Sequence, residues 1–381
     1  MTDYIVAIDL GTSHITGIVG EKNADGTFSI IACETEDPSS CIHRGNIYNV
    51  DKTGDIVASL IRKLESHLKG GFIDRVYVGV GGQSVRTVDR VETRELEDGE
   101  VVSAEDIRAL KEQCGNYKPD LLDVLDIAPA TYYVDGRREK NPVGVPCKQL
   151  EARYKVVVGR TSIRRDIARS INDRCGKEIA DLIVSPLALA DAMLSREEKE
   201  LGCALVDFGA GVTSVTVYKN GDLLYSAVIP LGGHLITCDI ASLQLTEDTS
   251  EKLKIEYGSA IFEEDDGKIN INMEGSDCEI AVNDLNAIVE ARAIEIVENV
   301  HERISKVIDR KALGSGIVLA GCASGLRKLP ELIKEKCKIK PRYSAIREGL
   351  VRGSGDMIGD PLYMTAVSLM LKGTEQCVSR P

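Results

Sequence analysis

Two short stretches hold the residues best suited to chemistry. Asp9-Leu-Gly-Thr-Ser13 and Asp207-Phe-Gly-Ala-Gly211 each set a carboxylate at the end of an apolar run, followed within two residues by glycine. Glycine lets backbone N–H groups approach phosphate oxygens, and two such acids can share a hydrated Mg²⁺. Either stretch alone reads equally as a β-turn with an exposed Asp. The pair, opening two similar segments, favours phosphate and cation binding. A third stretch, Gly316-Ile-Val-Leu-Ala-Gly-Cys-Ala-Ser-Gly325, brings backbone close to a flat base or ribose, or is a buried strand with a tight exit turn. Glu251 and Lys254 share a helix face, as contacts to ribose hydroxyls or as a solvated ion pair.

These residues need rigid elements behind them. Residues 4–9, 15–20 and 28–33 read as strands, with a turn at Asn23-Ala-Asp-Gly26, then a helix over 55–68 and a strand over 76–80. The design returns at 203–207, 213–219 and 223–230, where Asn220-Gly221 signals a hairpin. Two copies of strand, acid, glycine turn, strand indicate an internal duplication. Residues 85–158 differ in texture: they are charge-rich, with a helix start at Ser103-Ala-Glu-Asp106 and strands at 130–134 and 150–158. Residues 163–183 read as one helix, and Ser185-Pro186 opens another. Helices follow near 247–256, 283–308, 326–337 and 362–371, with short polar strands near 268–273. The fold class is α/β, two duplicated mixed-sheet halves with a small α+β insertion.

The 381 residues include no Trp and only 4 Phe, so the core must be aliphatic. Lys plus Arg is 47 and Asp plus Glu 60, a net charge of −13 that disfavours nucleic acid as a partner. The 11 cysteines form no Cys-x-x-Cys pair and the 5 His lack metal-ligand spacing, which argues against a disulfide framework or a zinc site. Scattered cysteines fit a reducing compartment. The sequence enters a strand directly, so no signal peptide is expected, and no run approaches the ~18 apolar residues of a membrane span. A cytoplasmic location is expected.

The order of glycine loop, Ser185-Pro-Leu-Ala188 helix, second glycine loop, Glu-x-x-Lys, glycine strand and small-residue terminal helix resembles the actin, heat-shock chaperone and sugar kinase superfamily. Within it, Val101-Val-Ser-Ala-Glu-Asp-Ile107, Tyr132-Tyr-Val-Asp-Gly136, Asn141-Pro-Val-Gly144, Leu150-Glu-Ala152, Glu251-Lys-Leu-Lys-Ile-Glu-Tyr-Gly258 and Asp360-Pro-Leu-Tyr-Met-Thr-Ala-Val367 resemble the bacterial cell-division family FtsA. The resemblance implies an actin-like fold around a nucleotide cleft, with ATP and Mg as cofactors. Gly11, Thr12 and Ser13 would contact phosphates, with Gly209, Ala210 and Gly211 as the second phosphate loop. Asp9 and Asp207 would flank Mg²⁺ through water. Glu251 and Lys254 would meet the ribose, with Gly321 and Ser324 near the adenosine. Arg292 matches an element that the family has near its protomer contacts. The implied subdomains are 1–84 (with 159–198 and 360–381), the insertion 85–158, 199–234 (with 309–359) and 235–308.

The implied function is a filament-forming adaptor on the cytoplasmic face of the inner membrane at the division site. It would bind itself, the C-terminal tail of FtsZ around residues 232–273, and other divisome proteins. Relatives often carry Asp-x-Gly-Gly-Gly-Thr-x-Asp at the second loop; here Val212 replaces a hydroxyl and Ser214 a carboxylate, so weak or no ATPase activity is expected. The basic amphipathic helix that anchors such proteins has no counterpart before Pro381, which reads as a chain cut before its anchor or a short form with another tether. Residues 362–371 are apolar nearly all round and read as core. No role attaches to Gly45, after His43-Arg44. The alternatives are a pilus-assembly adaptor and a small-molecule kinase of the same superfamily.

Overall fold

A computed structural model describes residues 3–379 except 98, 266, 274–275 and 354. Its first mixed sheet has six strands in the spatial order Glu178–Val184, Arg75–Val80, Asp3–Leu10, Ile15–Lys22, Phe28–Glu36, Val351–Arg352. The central three form an antiparallel meander, and Arg75–Val80 and Glu178–Val184 add in parallel beyond it. Ile15 through Gly20 are all buried, as a strand covered on both faces must be. A Cβ on Gly17 would strike Leu64 and Leu60 of the helix Val50–Ser66, and one on Gly20 would strike Met370 of Pro361–Lys372. One helix therefore lies against each face.

The second sheet repeats this plan. The meander is Cys203–Phe208, Thr213–Lys219, Asp222–Ile229, and Ile317–Ala320 and Pro341–Tyr343 add in parallel. Its far edge is taken by the insertion: Arg86–Glu95 abuts Asp222–Ile229 through the pair Ala227 and Arg86. Gln149–Arg160, Thr131–Val134 and Arg137–Glu139 extend the same sheet, and Leu122–Ile127 pairs off to the side. The insertion has its own core around Leu110, Leu150 and Val156, under the helix Ala104–Gly115. Ser103 and Asp106 cap that helix reciprocally.

Residues 163–183 are not one helix. Thr161–Ala168 widens into a π turn over Arg169–Arg174, the chain reverses at Gly176 (φ 72°), and Glu178–Val184 pairs in parallel with Arg75–Val80. The run of Ile and Val mimicked a helical face, and the open sheet edge claimed it. Arg86–Glu95, in the stretch that read as charge-rich, is an antiparallel strand with one face toward solvent. Pro361–Lys372 buries Met364, Ala366, Val367, Leu369 and Met370, so this terminal helix is core. No helix among the described residues is long and apolar enough to cross a membrane.

Candidate functional site

In open α/β sheets ligands gather at the carboxyl ends of strands. Asp9 and Asp207 are each the penultimate residue of a central strand, and each hairpin closes over four residues, from Leu10 to Ile15 and from Phe208 to Thr213. The loops are built alike. A Cβ on Gly11 would lie 2.5 Å from the His14 carbonyl oxygen, and one on Gly209 would lie 2.9 Å from that of Val212, so glycine is needed first in each. Thr12 then corresponds to Ala210, and Ser13 to Gly211. The two loops touch: a Cβ on Gly211 would sit 2.3 Å from Thr12 Oγ1.

The acids face each other at this junction. Burial pushes the Asp9 carboxyl up to about 7, and the Asp207 charge adds to the rise. Burial raises Asp207 less, to about 6, because the Ser214 hydroxyl donates to it from the neighbouring strand. Two carboxylates that resist ionising together are a place where a cation is wanted. Among the described residues no cluster of three or more His, Cys, Asp or Glu could grip a metal ion. The donor set fits a Mg²⁺ that keeps most of its water and takes other oxygens from a phosphate.

The second loop rests on the start of the helix Gly233–Ala241. Gly233 and His234 N–H groups donate to the Gly209 and Ala210 carbonyls, at 3.0 and 2.9 Å. Lys254, on Glu247–Glu256, donates to the Gly233 carbonyl (3.2 Å), Thr237 Oγ1 (3.0 Å) and Glu251 Oε2 (2.6 Å). The Lys254 side chain is only 12% exposed, so the cation end of the pair is buried while Glu251 meets solvent. Gly321 (φ 82°) leaves the strand Ile317–Ala320 so close that a Cβ would lie 2.4 Å from Asp207 Oδ1. Ser324 follows, itself buried, in a 3-10 turn. The residues read from sequence thus fall around the junction of the loops, Glu251 and Lys254 across the Gly233 helix.

Sequence reading missed several contributors. Gly45 donates its N–H to Thr12 Oγ1 (3.2 Å), bracing the first loop. Gly232 and Gly233 allow the second loop to approach the helix, and the doubled glycine after a strand was the available signal. Tyr343 donates its hydroxyl to the Ser324 carbonyl (2.8 Å) from a distant stretch that offered no local signal. Arg292 is engaged within the chain, forking onto Asp239 at 2.6 and 3.1 Å. A cavity of about 590 Å³ lies elsewhere, where Arg138 and Lys140 of the insertion pair with Asp222 and Glu200. Its lining holds these paired ions and the Asn220-Gly221 turn, and none of the residues of the two acid–glycine hairpins.

A family model described as cell division protein FtsA matches residues 204–368, and one described as the SHS2 domain inserted in FtsA matches residues 82–158. Cell division protein FtsA of Porphyromonas gingivalis is 35% identical over 329 residues, covering 84% of this chain and 68% of that protein. The chain belongs to the FtsA family. The Bacillus subtilis FtsA is 31% identical over 385 residues, 97% of this chain and 83% of that one. Among solved structures, the PilM–PilN type IV pilus biogenesis complex superposes with a TM-score of 0.69 at 17% identity, covering 97% and 98% of the two chains. MreB 5 of Spiroplasma citri bound to AMPPNP gives 0.53 at 13%, covering 97% and 95%. The fold of this FtsA-family chain is therefore actin-like, two duplicated halves with an inserted domain.

Proposed function

We propose that this chain is a nucleotide-gated division adaptor: it binds Mg·ATP between the two hairpins, polymerises, holds the C-terminal tail of FtsZ and tethers the division ring to the inner membrane, where other divisome proteins join it. The observation that carries the nucleotide reading is the meeting of Thr12 and Gly211 beside two mutually repelling carboxylates. Backbone N–H groups of Gly11 to Ser13 and Gly209 to Gly211 cradle the phosphates, and the Thr12 and Ser13 hydroxyls add donors on one side only. Asp9 and Asp207 hold the hydrated Mg²⁺, which when bound neutralises phosphate charge. Glu251 and Lys254 meet the ribose, and Gly321 and Ser324 border the adenosine. Ser214, whose hydroxyl is spent on Asp207, offers no carboxylate to orient an attacking water, which supports weak or no hydrolysis.

In this reading 1–84 with 159–198 and 360–381, and 199–234 with 309–359, are the two core subdomains, and 85–158 and 235–308 are the outer ones. The tail site lies within 232–273. The location is the cytoplasmic face of the inner membrane at the division site. The test is fluorescence anisotropy of a labelled FtsZ C-terminal tail peptide from the same organism, titrated with the protein and Mg·ATP. Saturable binding weakened by substitutions within 232–273 supports the adaptor. ATP binding without tail binding at high micromolar protein overturns it, and returns the pilus-assembly or kinase alternatives.

A further inference from the structure

The adenosine side of the cleft carries a residue that neither the sequence motifs nor the assigned loops include. Tyr343 ends the strand Pro341–Tyr343, which adds in parallel to Ile317–Ala320 with Tyr343 level with Leu319. It therefore sits at the same carboxyl end of the sheet as Gly321 and Asp207, where ligands of such sheets collect. Its hydroxyl donates to the Ser324 carbonyl at 2.8 Å, which ties the ring to the turn Cys322–Gly325. Yet Tyr343 keeps 55% of its surface exposed. Singly exposed apolar groups are ordinary, and Tyr48, Phe72, Leu121 and Ile255 are more exposed still, so what sets Tyr343 apart is its tether to the turn and its place at this end of the sheet. A ring fixed at its polar tip and open elsewhere is pre-organised to cover a flat partner with little further loss of freedom.

We infer that Tyr343 is the base-stacking residue of the cleft, a specificity-determining side chain that packs against the purine while Ser324 holds its hydroxyl. The inference rests on the nucleotide reading of the same cleft. An exposed ring anchored to the turn below it offers a π-face, which any purine can stack on. Phosphate contacts at the hairpins then set where the ligand lies, and Tyr343 discriminates a nucleotide from a bare polyphosphate.

The experiment is calorimetric titration of the full chain with Mg·ATP and, separately, with magnesium tripolyphosphate, which has no base. Tyr343→Ala is expected to weaken ATP about tenfold and leave tripolyphosphate unchanged. Tyr343→Phe keeps the ring, loses the anchoring hydroxyl, and should stay within about threefold of the parent for ATP. ATP affinity unchanged in Tyr343→Ala overturns the inference, as does an equal loss for both ligands, which would mark a structural role. If the unsubstituted protein binds tripolyphosphate but not ATP, the base contact is refuted while the phosphate loops stand. If it binds neither, the nucleotide reading itself fails and takes this inference with it.

Discussion

The two acid–glycine hairpins share a backbone and differ in what they present. Both close over four residues after a penultimate Asp, and both need glycine first. The first carries Thr12, Ser13 and His14, with the Gly45 N–H bracing Thr12. The second carries Ala210, Gly211 and Val212, with the Gly209 and Ala210 carbonyls taken up by the Gly233 helix. One hairpin contributes side chains, the other a fixed strip of backbone. Duplication supplied the frame, and divergence split the labour: a small, hydroxyl-free second loop is what lets the first loop's threonine come within contact.

The sharpest way to break this comparison is to fill the contact. Gly211→Val would drive methyl groups into Thr12, so the loops must part. Mg·ATP affinity is expected to fall about 10- to 100-fold by titration calorimetry, with the melting temperature lowered by only a few degrees. Parent-like affinity would mean that the hairpins do not share a ligand. A milder test compares corresponding positions. Thr12→Ala removes an acceptor for Gly45 and a donor to phosphate, and should cost about three- to tenfold in affinity. Ala210→Ser adds a hydroxyl to the second loop at the position of Thr12 and should change affinity by less than about twofold. Equal effects at both positions would erase the distinction between the loops.

The sequence made the frame legible because the frame is local. An apolar run, an acid and a glycine specify strand and turn within a few residues, and the Asn220-Gly221 hairpin is marked by its own chemistry; Asn220 does take a positive φ of 56°. What it hid is long-range. Glu178–Val184 is a strand only because Arg75–Val80 offers a parallel edge. Gly45 meets Thr12 across 33 positions, and Tyr343 meets Ser324 because two parallel strands end at one level. The Lys254 contacts were half legible: spacing put Glu251 on its face, but the burial that separates a structural cation from a solvated one comes from the Gly233 helix.

The acids give a test that needs no ligand. Both carboxyls are raised, so between about pH 4 and 7 the folded chain binds more protons than the unfolded chain, and stability falls as pH rises through that window. Above pH 7 the full cost is present. Asp9→Asn should therefore raise the melting temperature at pH 8 by about 2–4 °C and do little at pH 4, in scanning calorimetry without Mg²⁺. Asp207→Asn should raise it less, since its carboxylate is the better accommodated of the two. The reverse order would show that the second acid, not the first, bears the repulsion.

The smallest effect isolates why the two acids differ. Asp207 pairs across its hairpin with Ser214, and Asp9 pairs with Thr16. Only the serine hydroxyl lowers its partner's carboxyl, so the gap between about 6 and about 7 traces to that donated hydrogen bond and to the Asp207 charge, which raises Asp9 further. Ser214→Ala removes that donor without adding volume. Asp207 should then titrate higher, toward Asp9, and because its ionised form is less favoured it should repel Asp9 less near neutrality. The expected result, read by carboxyl-labelled NMR titration, is an upward move of Asp207 with a smaller downward move of Asp9. An Asp207 that stays put would assign the asymmetry to the charge of one acid acting on the other, and the serine would then be a spectator on the strand beside a loop stripped of side-chain chemistry.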